Sequence, residues 1–131
     1  SSESEPSGRP SVANPSKRKG TSWENRVRDF WRWQGVVNCE RMAQNGKNDR
    51  GDLTGFGPGI TVECKNTREF SPAKWMDELE AEMRNAKSDI GWVQFPRRGR
   101  PTQYGPCLIA PEVLALLLRE AGRIPDREET A

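Results

Sequence analysis

An α/β fold, with a mixed β-sheet and helices packed against it, follows from three features of this 131-residue sequence. Apolar residues recur at helical spacing near the start, in the middle and near the end of the chain, as in helices that bury one face. Short runs rich in β-branched and aromatic residues lie between them, bounded by Gly- and Pro-bearing turns. The resulting order is α-β-β-β-α-β-β-α, and strands joined by short turns argue against a purely parallel sheet.

The first helix opens at Thr21 to Glu24, read as a capping box. Trp23, Val27, Phe30 and Trp31 supply its apolar stripe, and Gly35 stops it. Residues 36–41 form a short strand, residues 44–50 a polar Gly-bearing loop, and residues 53–56 with 60–65 a β-hairpin. Ser71 and Pro72 open the second helix as N-cap and first-turn residue. Its stripe is Trp75, Met76, Leu79, Met83 and Ala86, ending near Lys87. Residues 90–95 and 104–109 form two further strands, joined by the basic turn Arg97-Arg98-Gly99-Arg100. Pro111 precedes the last helix, Glu112 to Arg119, which Gly122 closes. Residues 1–16 are nearly devoid of apolar side chains and are expected to form a flexible tail, as are residues 123–131. Residues 17–122 form a single domain.

Composition narrows the function. The chain has no histidine, and its three cysteines, Cys39, Cys64 and Cys107, form no C-x-x-C pair. Zinc-finger and zinc-hydrolase spacings are therefore excluded, and a cysteine nucleophile would lack a histidine base. All three cysteines fall in expected strands and read as buried free thiols. No apolar run approaches the length of a membrane span, and no signal-peptide core is visible, so the expectation is an intracellular protein with no membrane partner. Net charge is only +2. Its distribution says more: cations at Lys17, Arg18, Lys19, Lys47, Arg50, Arg68, Arg97, Arg98 and Arg100 surround the acidic centre described next, as binding of a phosphate polymer requires. Solvated basic loops explain any one cluster equally well.

The sharpest feature is Glu63-Cys64-Lys65, preceded by the apolar stretch Ile60-Thr61-Val62 and, across the turn Gly55-Phe56-Gly57-Pro58-Gly59, by Asp52. Alternate strand residues share a face, so Glu63 and Lys65 point the same way. Two carboxylates and an ammonium at one point suit metal-assisted phosphodiester hydrolysis: hard oxygens hold Mg²⁺, which neutralises phosphate and activates water. The spacing Asp-x(10)-Glu-x-Lys resembles the PD-(D/E)xK nuclease superfamily, with Gly51 in the place of proline, and implies a restriction-endonuclease-like sheet. Without a cation, the two carboxylates would repel and one pKa would rise.

Each position has a plainer reading beside this one. Asp52 and Glu63 could be exposed turn and strand charges, although glutamate directly after Ile-Thr-Val is a poor strand choice. Lys65 could be a surface lysine. Glu24 could serve as the capping partner of Thr21 or pair with Arg28. Trp31 lies on the core stripe, whereas Trp33 points off it and could stack on a base. Val113 to Leu118 are six consecutive apolar residues, consistent with a fully buried helix or with one face left for a dimer contact.

The segment Arg18-Lys19-Gly20-Thr21-Ser22-Trp23-Glu24 resembles the Lys-Gly-Ser/Thr-x-x-Glu opening of archaeal-type Holliday junction resolvases, within the same superfamily. The order that follows, with Arg41, a polar loop at Asn45-Gly46, then Asp52, Glu63 and Lys65, is similar too. The Trp- and Arg-rich character looks more like a phage-encoded member. The resemblance implies a homodimeric, Mg²⁺-dependent endonuclease, with Mn²⁺ an acceptable substitute. It would recognise four-way DNA junctions by shape and nick two strands symmetrically, with no small-molecule substrate. It implies catalytic roles for Glu24, Asp52, Glu63 and Lys65, with Asp52, Glu63 and the Cys64 backbone carbonyl as metal ligands. Arg41 would join the other cations as a DNA contact. A less selective nuclease of the superfamily, acting on duplex, flapped or other branched DNA, is the alternative. A junction-binding protein with an incidental acidic trio is a third reading.

Overall fold

A computed structural model describes residues 15–43 and 50–128, with side chains from Lys19 onward. The described residues are mixed α/β, with three α-helices and two small sheets. Helix α1 spans Pro15–Trp33, strand β1 Glu40–Arg41, β2 Leu53–Thr54 and β3 Ile60–Cys64. Helix α2 follows at Pro72–Ala86, then β4 at Ile90–Gln94, β5 at Cys107–Leu108 and α3 at Pro111–Glu120. The expected order of helices and strands is the observed one.

Strands β3 and β4 run parallel with Glu63 opposite Val93, and β4 pairs antiparallel with β5. The crossover between β3 and β4 is α2, as a parallel connection requires. Side-chain alternation divides this three-stranded sheet between two helices. Val62 and Cys64 join Trp23, Val27, Cys39 and Leu53 in one buried cluster on the α1 side. Val93 packs with Trp75 and Leu79 on the α2 side. Thr61 belongs to that second side, where its hydroxyl shares a 2.7 Å hydrogen bond with Ser88.

Gln94 ties the layers together. Its buried side-chain Oε1 accepts the indole N–H of Trp31 at 2.9 Å and that of Trp92 at 3.0 Å. Two indole donors demand that the amide present its oxygen to them. The backbone carbonyl of Gln94 accepts from Trp23 at 3.1 Å and from the N–H of Lys65 at 3.0 Å.

Several local expectations give way. Helix α1 begins at Pro15, so Thr21 is an interior residue rather than an N-cap, and the tail boundary at residue 16 falls inside the helix. Residues 1–14 and 129–131 lie outside the described part, as do residues 44–49 with Lys47. The strand expected over residues 36–41 is reduced to Glu40–Arg41. The expected β2–β3 hairpin is replaced by β1 pairing with β2, while β3 takes β4 as its neighbour. Only Leu53 and Thr54 form β2, and the positive φ of Gly55, 100°, ends the extended run. Ser71 stands at the N-cap of α2 without a side-chain capping bond. The strand expected over residues 104–109 shrinks to Cys107–Leu108, because Thr102–Tyr104 coil into a 3₁₀ turn. Cys39 lies just before β1 rather than in a strand, and Cys107 is exposed rather than buried; all three thiols are free. In α3 only Val113 is buried, and Leu114 is 45% exposed, so the last helix is not fully buried.

Candidate active site

The site forms where β3 passes between the start of β2 and helix α2. Gly51, with φ of 110°, lies so close to β3 that a Cβ there would meet Thr61 Cγ2 at 2.9 Å and the Val62 carbonyl at 3.0 Å. That approach lets Asp52 dock along the strand. The Asp52 N–H donates to the Val62 carbonyl at 2.8 Å, and Asp52 Oδ2 accepts the Cys64 N–H at 2.7 Å. Asp52 therefore takes the place of a neighbouring strand at this edge of β3, using its own side chain as the acceptor.

Glu63 and Lys65 share the α2 side, as alternation dictates. Lys65 Nζ lies 3.5 Å from Glu63 Oε2 and 2.5 Å from Glu78 Oε1. Asp52 and Glu63 are each only 6% exposed, which excludes a surface-charge explanation for either. Sequence reasoning missed the contribution of α2. Glu78 holds Lys65, and Glu82, one helical turn further on, brings a third carboxyl against Glu63. Glu63 Oε1 and Glu82 Oε1 are both buried without a protein hydrogen-bond donor. The signal was present: Glu78 and Glu82 stand three and seven residues after Trp75, on the stripe that α2 turns toward the sheet.

Electrostatics follow from this crowding. Burial pushes the Glu63 carboxyl up to about 11, reinforced by its contact with Glu82 and by the nearby Asp52 charge, while Lys65 opposes the shift. The rise expected from two facing carboxylates is present, but burial is its first cause and Glu82 the unforeseen partner. Asp52 is also raised by burial, and the Cys64 N–H resists that rise. Glu24 is raised by burial and by Asp52. For Lys65, burial works against the charge, but Glu78 and Glu63 outweigh it and hold the ammonium protonated.

Glu24 lies at the border of the site, where its Oε1 accepts from Arg41 Nε at 3.0 Å. The alternative pairing with Arg28 is absent, since Arg28 contacts Asp29. Arg41 is thus already engaged by a carboxylate. Arg50, Arg68, Arg97, Arg98 and Arg100 are exposed, as is Lys19; nothing is described of the Lys17 and Arg18 side chains. Trp33 is 74% exposed, whereas Trp31 packs against Phe56 and Trp92.

Two carboxylates, a backbone carbonyl and an ammonium are compatible with a divalent cation and a phosphodiester, because a cation relieves what the orphaned Glu63 oxygen lacks. Among the described residues, no three His, Cys, Asp or Glu side chains already form a ligand set. The expected donor set of two carboxylates and the Cys64 carbonyl does not require one. No described helix is long and apolar enough to cross a membrane. No protein-family model, curated protein or solved structure matches this chain.

Proposed function

We propose that the chain is a divalent-cation-dependent DNA endonuclease with a restriction-endonuclease-like core, acting on four-way junctions in the manner of a Holliday junction resolvase. One observation carries the reading: the buried Glu63 carboxyl is crowded against Asp52 and Glu82, its Oε1 meets no amide, hydroxyl or cationic donor, and the Lys65 ammonium lies 3.5 Å from its other oxygen. Burying these groups is costly unless a ligand completes them.

Asp52, Glu63 and the Cys64 carbonyl would hold Mg²⁺ or Mn²⁺, which when bound supplies charge neutralisation and a more acidic water. Lys65 places its ammonium where negative charge develops on phosphorus-bound oxygen and orients the attacking water. Glu78 keeps that ammonium in position. Glu24, held by Arg41, stands close enough to raise its own pKa through Asp52 and suits a water contact at the rim. The exposed cations Lys19, Arg50, Arg68, Arg97, Arg98 and Arg100 supply phosphate contacts that make affinity salt-dependent. Symmetric nicking needs two such sites about a two-fold axis, which a homodimer would supply.

Comparing four-way, flapped and linear DNA with Mg²⁺ and with EDTA tests this reading. Junction cleavage should require the cation and disappear in Glu63→Ala and Lys65→Ala while DNA binding persists. Equal cutting of linear duplex would move the assignment to a less selective nuclease. Absence of any cation-dependent cutting by the wild type would leave a DNA-binding protein at most.

A further inference from the structure

Next to the carboxylates, a cleft of about 320 Å³ opens between the segment after β3 and the end of β4. Its walls combine two kinds of chemistry. Lys65, Arg68 and Arg98 contribute cations, and Phe70, Trp75 and Phe95 contribute aromatic surface. The three rings form a closed set: Phe70 meets Trp75 edge-on at 5.4 Å, Phe70 and Phe95 are tilted at 5.4 Å, and Trp75 and Phe95 lie 5.3 Å apart. Trp75 is core, at 4% exposure, while Phe70 is 61% exposed. Phe70 is thus a ring held by neighbouring rings with most of its own surface left open. Among the described residues, neither Arg68 nor Arg98 has a carboxylate partner.

We infer that this cleft takes one unstacked base of a DNA strand, laid against Phe70, with the adjoining phosphates held by Arg68 and Arg98. The volume is at the lower end for ligand clefts and suits a single nucleotide rather than a double helix. An aromatic platform bordered by cations is the arrangement by which proteins hold single strands without reading sequence. Lys65 belongs both to this wall and to the carboxylate site. A base in the cleft therefore places its own phosphate beside the groups assigned to hydrolysis. The inference rests on the nuclease reading and names the strand feature that reading lacked: an unpaired nucleotide at the point of cutting, as a branch point offers.

The test is equilibrium binding by fluorescence anisotropy in EDTA, so that no cutting intervenes. The probes are a labelled oligothymidylate and an abasic oligonucleotide of equal length and charge. The wild type should bind the oligothymidylate roughly 5- to 150-fold more tightly than the abasic strand, the range for one stacked base. Phe70→Leu keeps apolar bulk without a π-face and should reduce that ratio to less than about twofold, while Phe70→Trp should restore it. Matching thermal melts of the variants exclude unfolding, as the exposure of Phe70 leads one to expect. An unchanged ratio in Phe70→Leu, or no preference in the wild type, overturns the inference even if junction cleavage is intact. A Phe70-dependent preference in a protein that never cuts DNA overturns the nuclease reading and leaves the base site standing.

Discussion

Replacing Glu63 by Gln isolates the proton that this buried acid carries in the ion-free protein. The folded-state pKa is pushed up to about 11, from an ordinary value of 4.5. Between those limits the native state holds one more proton than the unfolded chain. An acid with a raised folded pKa contributes stability that is complete below the unfolded value and declines as pH rises toward the folded one. One proton corresponds to about 1.4 kcal/mol per pH unit, so the step from pH 6 to pH 8 removes at most roughly 2–3 kcal/mol, a large part of a small domain's stability. The chain contains no histidine, so no side chain of ordinary pKa obscures that window. Urea unfolding in EDTA at pH 6, 7 and 8 is the assay. Wild type should lose stability as pH rises, and Glu63→Gln, which keeps the shape and a donor but cannot ionise, should make the profile shallower, leaving the slope of the also-raised Asp52 and Glu24. Excess Mg²⁺ should also flatten the wild-type profile by replacing the proton, with a smaller effect on the variant. Parallel wild-type and variant profiles in EDTA would refute the reasoning.

Gln94→Leu should destabilise by about 2–4 kcal/mol in urea melts, because two indole N–H groups lose their acceptor; a loss below about 1 kcal/mol would show that water replaces it. Gly51→Ala should cost about 1–3 kcal/mol from its positive φ alone, with more from the 2.9 Å approach to Thr61. The same variant should weaken any Mg²⁺-induced rise in melting temperature, since Asp52 follows directly. Desolvation pushes the Cys107 thiol up to about 11, so although the residue is exposed it should alkylate at pH 8 several-fold more slowly than an ordinary cysteine, the smaller thiolate fraction outweighing its higher nucleophilicity. Its rate should climb with pH toward 11, and rapid native labelling at pH 8 would contradict the shift.

Helices α2 and α3 were legible nearly to the residue, because Pro72 and Pro111 start them and an apolar stripe carries each one. The first helix was legible in its stripe but not in its start, since the capping signal at Thr21 competes with a polar sequence that continues the helix upstream. Strands were legible as existing but not in their pairing. Residues 53–56 and 60–65 stand close in sequence and read as a hairpin, whereas β3 gains more by lying beside β4 under α2, with Asp52 covering its other edge. Trp31 and Trp33 were separated correctly by helical phase alone.

The meeting of Glu63 and Lys65 was determined by sequence, because a period of two puts them on one side of any strand. What only the tertiary structure decided is which surface faces that side: α2 crosses over it, burying Glu63 and bringing Glu78 and Glu82 against the pair. Helix phase shows that those acids share the stripe of Trp75 and Leu79, but not that the stripe covers Glu63. That depends on the parallel β3–α2–β4 crossover, a long-range packing choice made by the burial of Trp75, Leu79 and Val93 together.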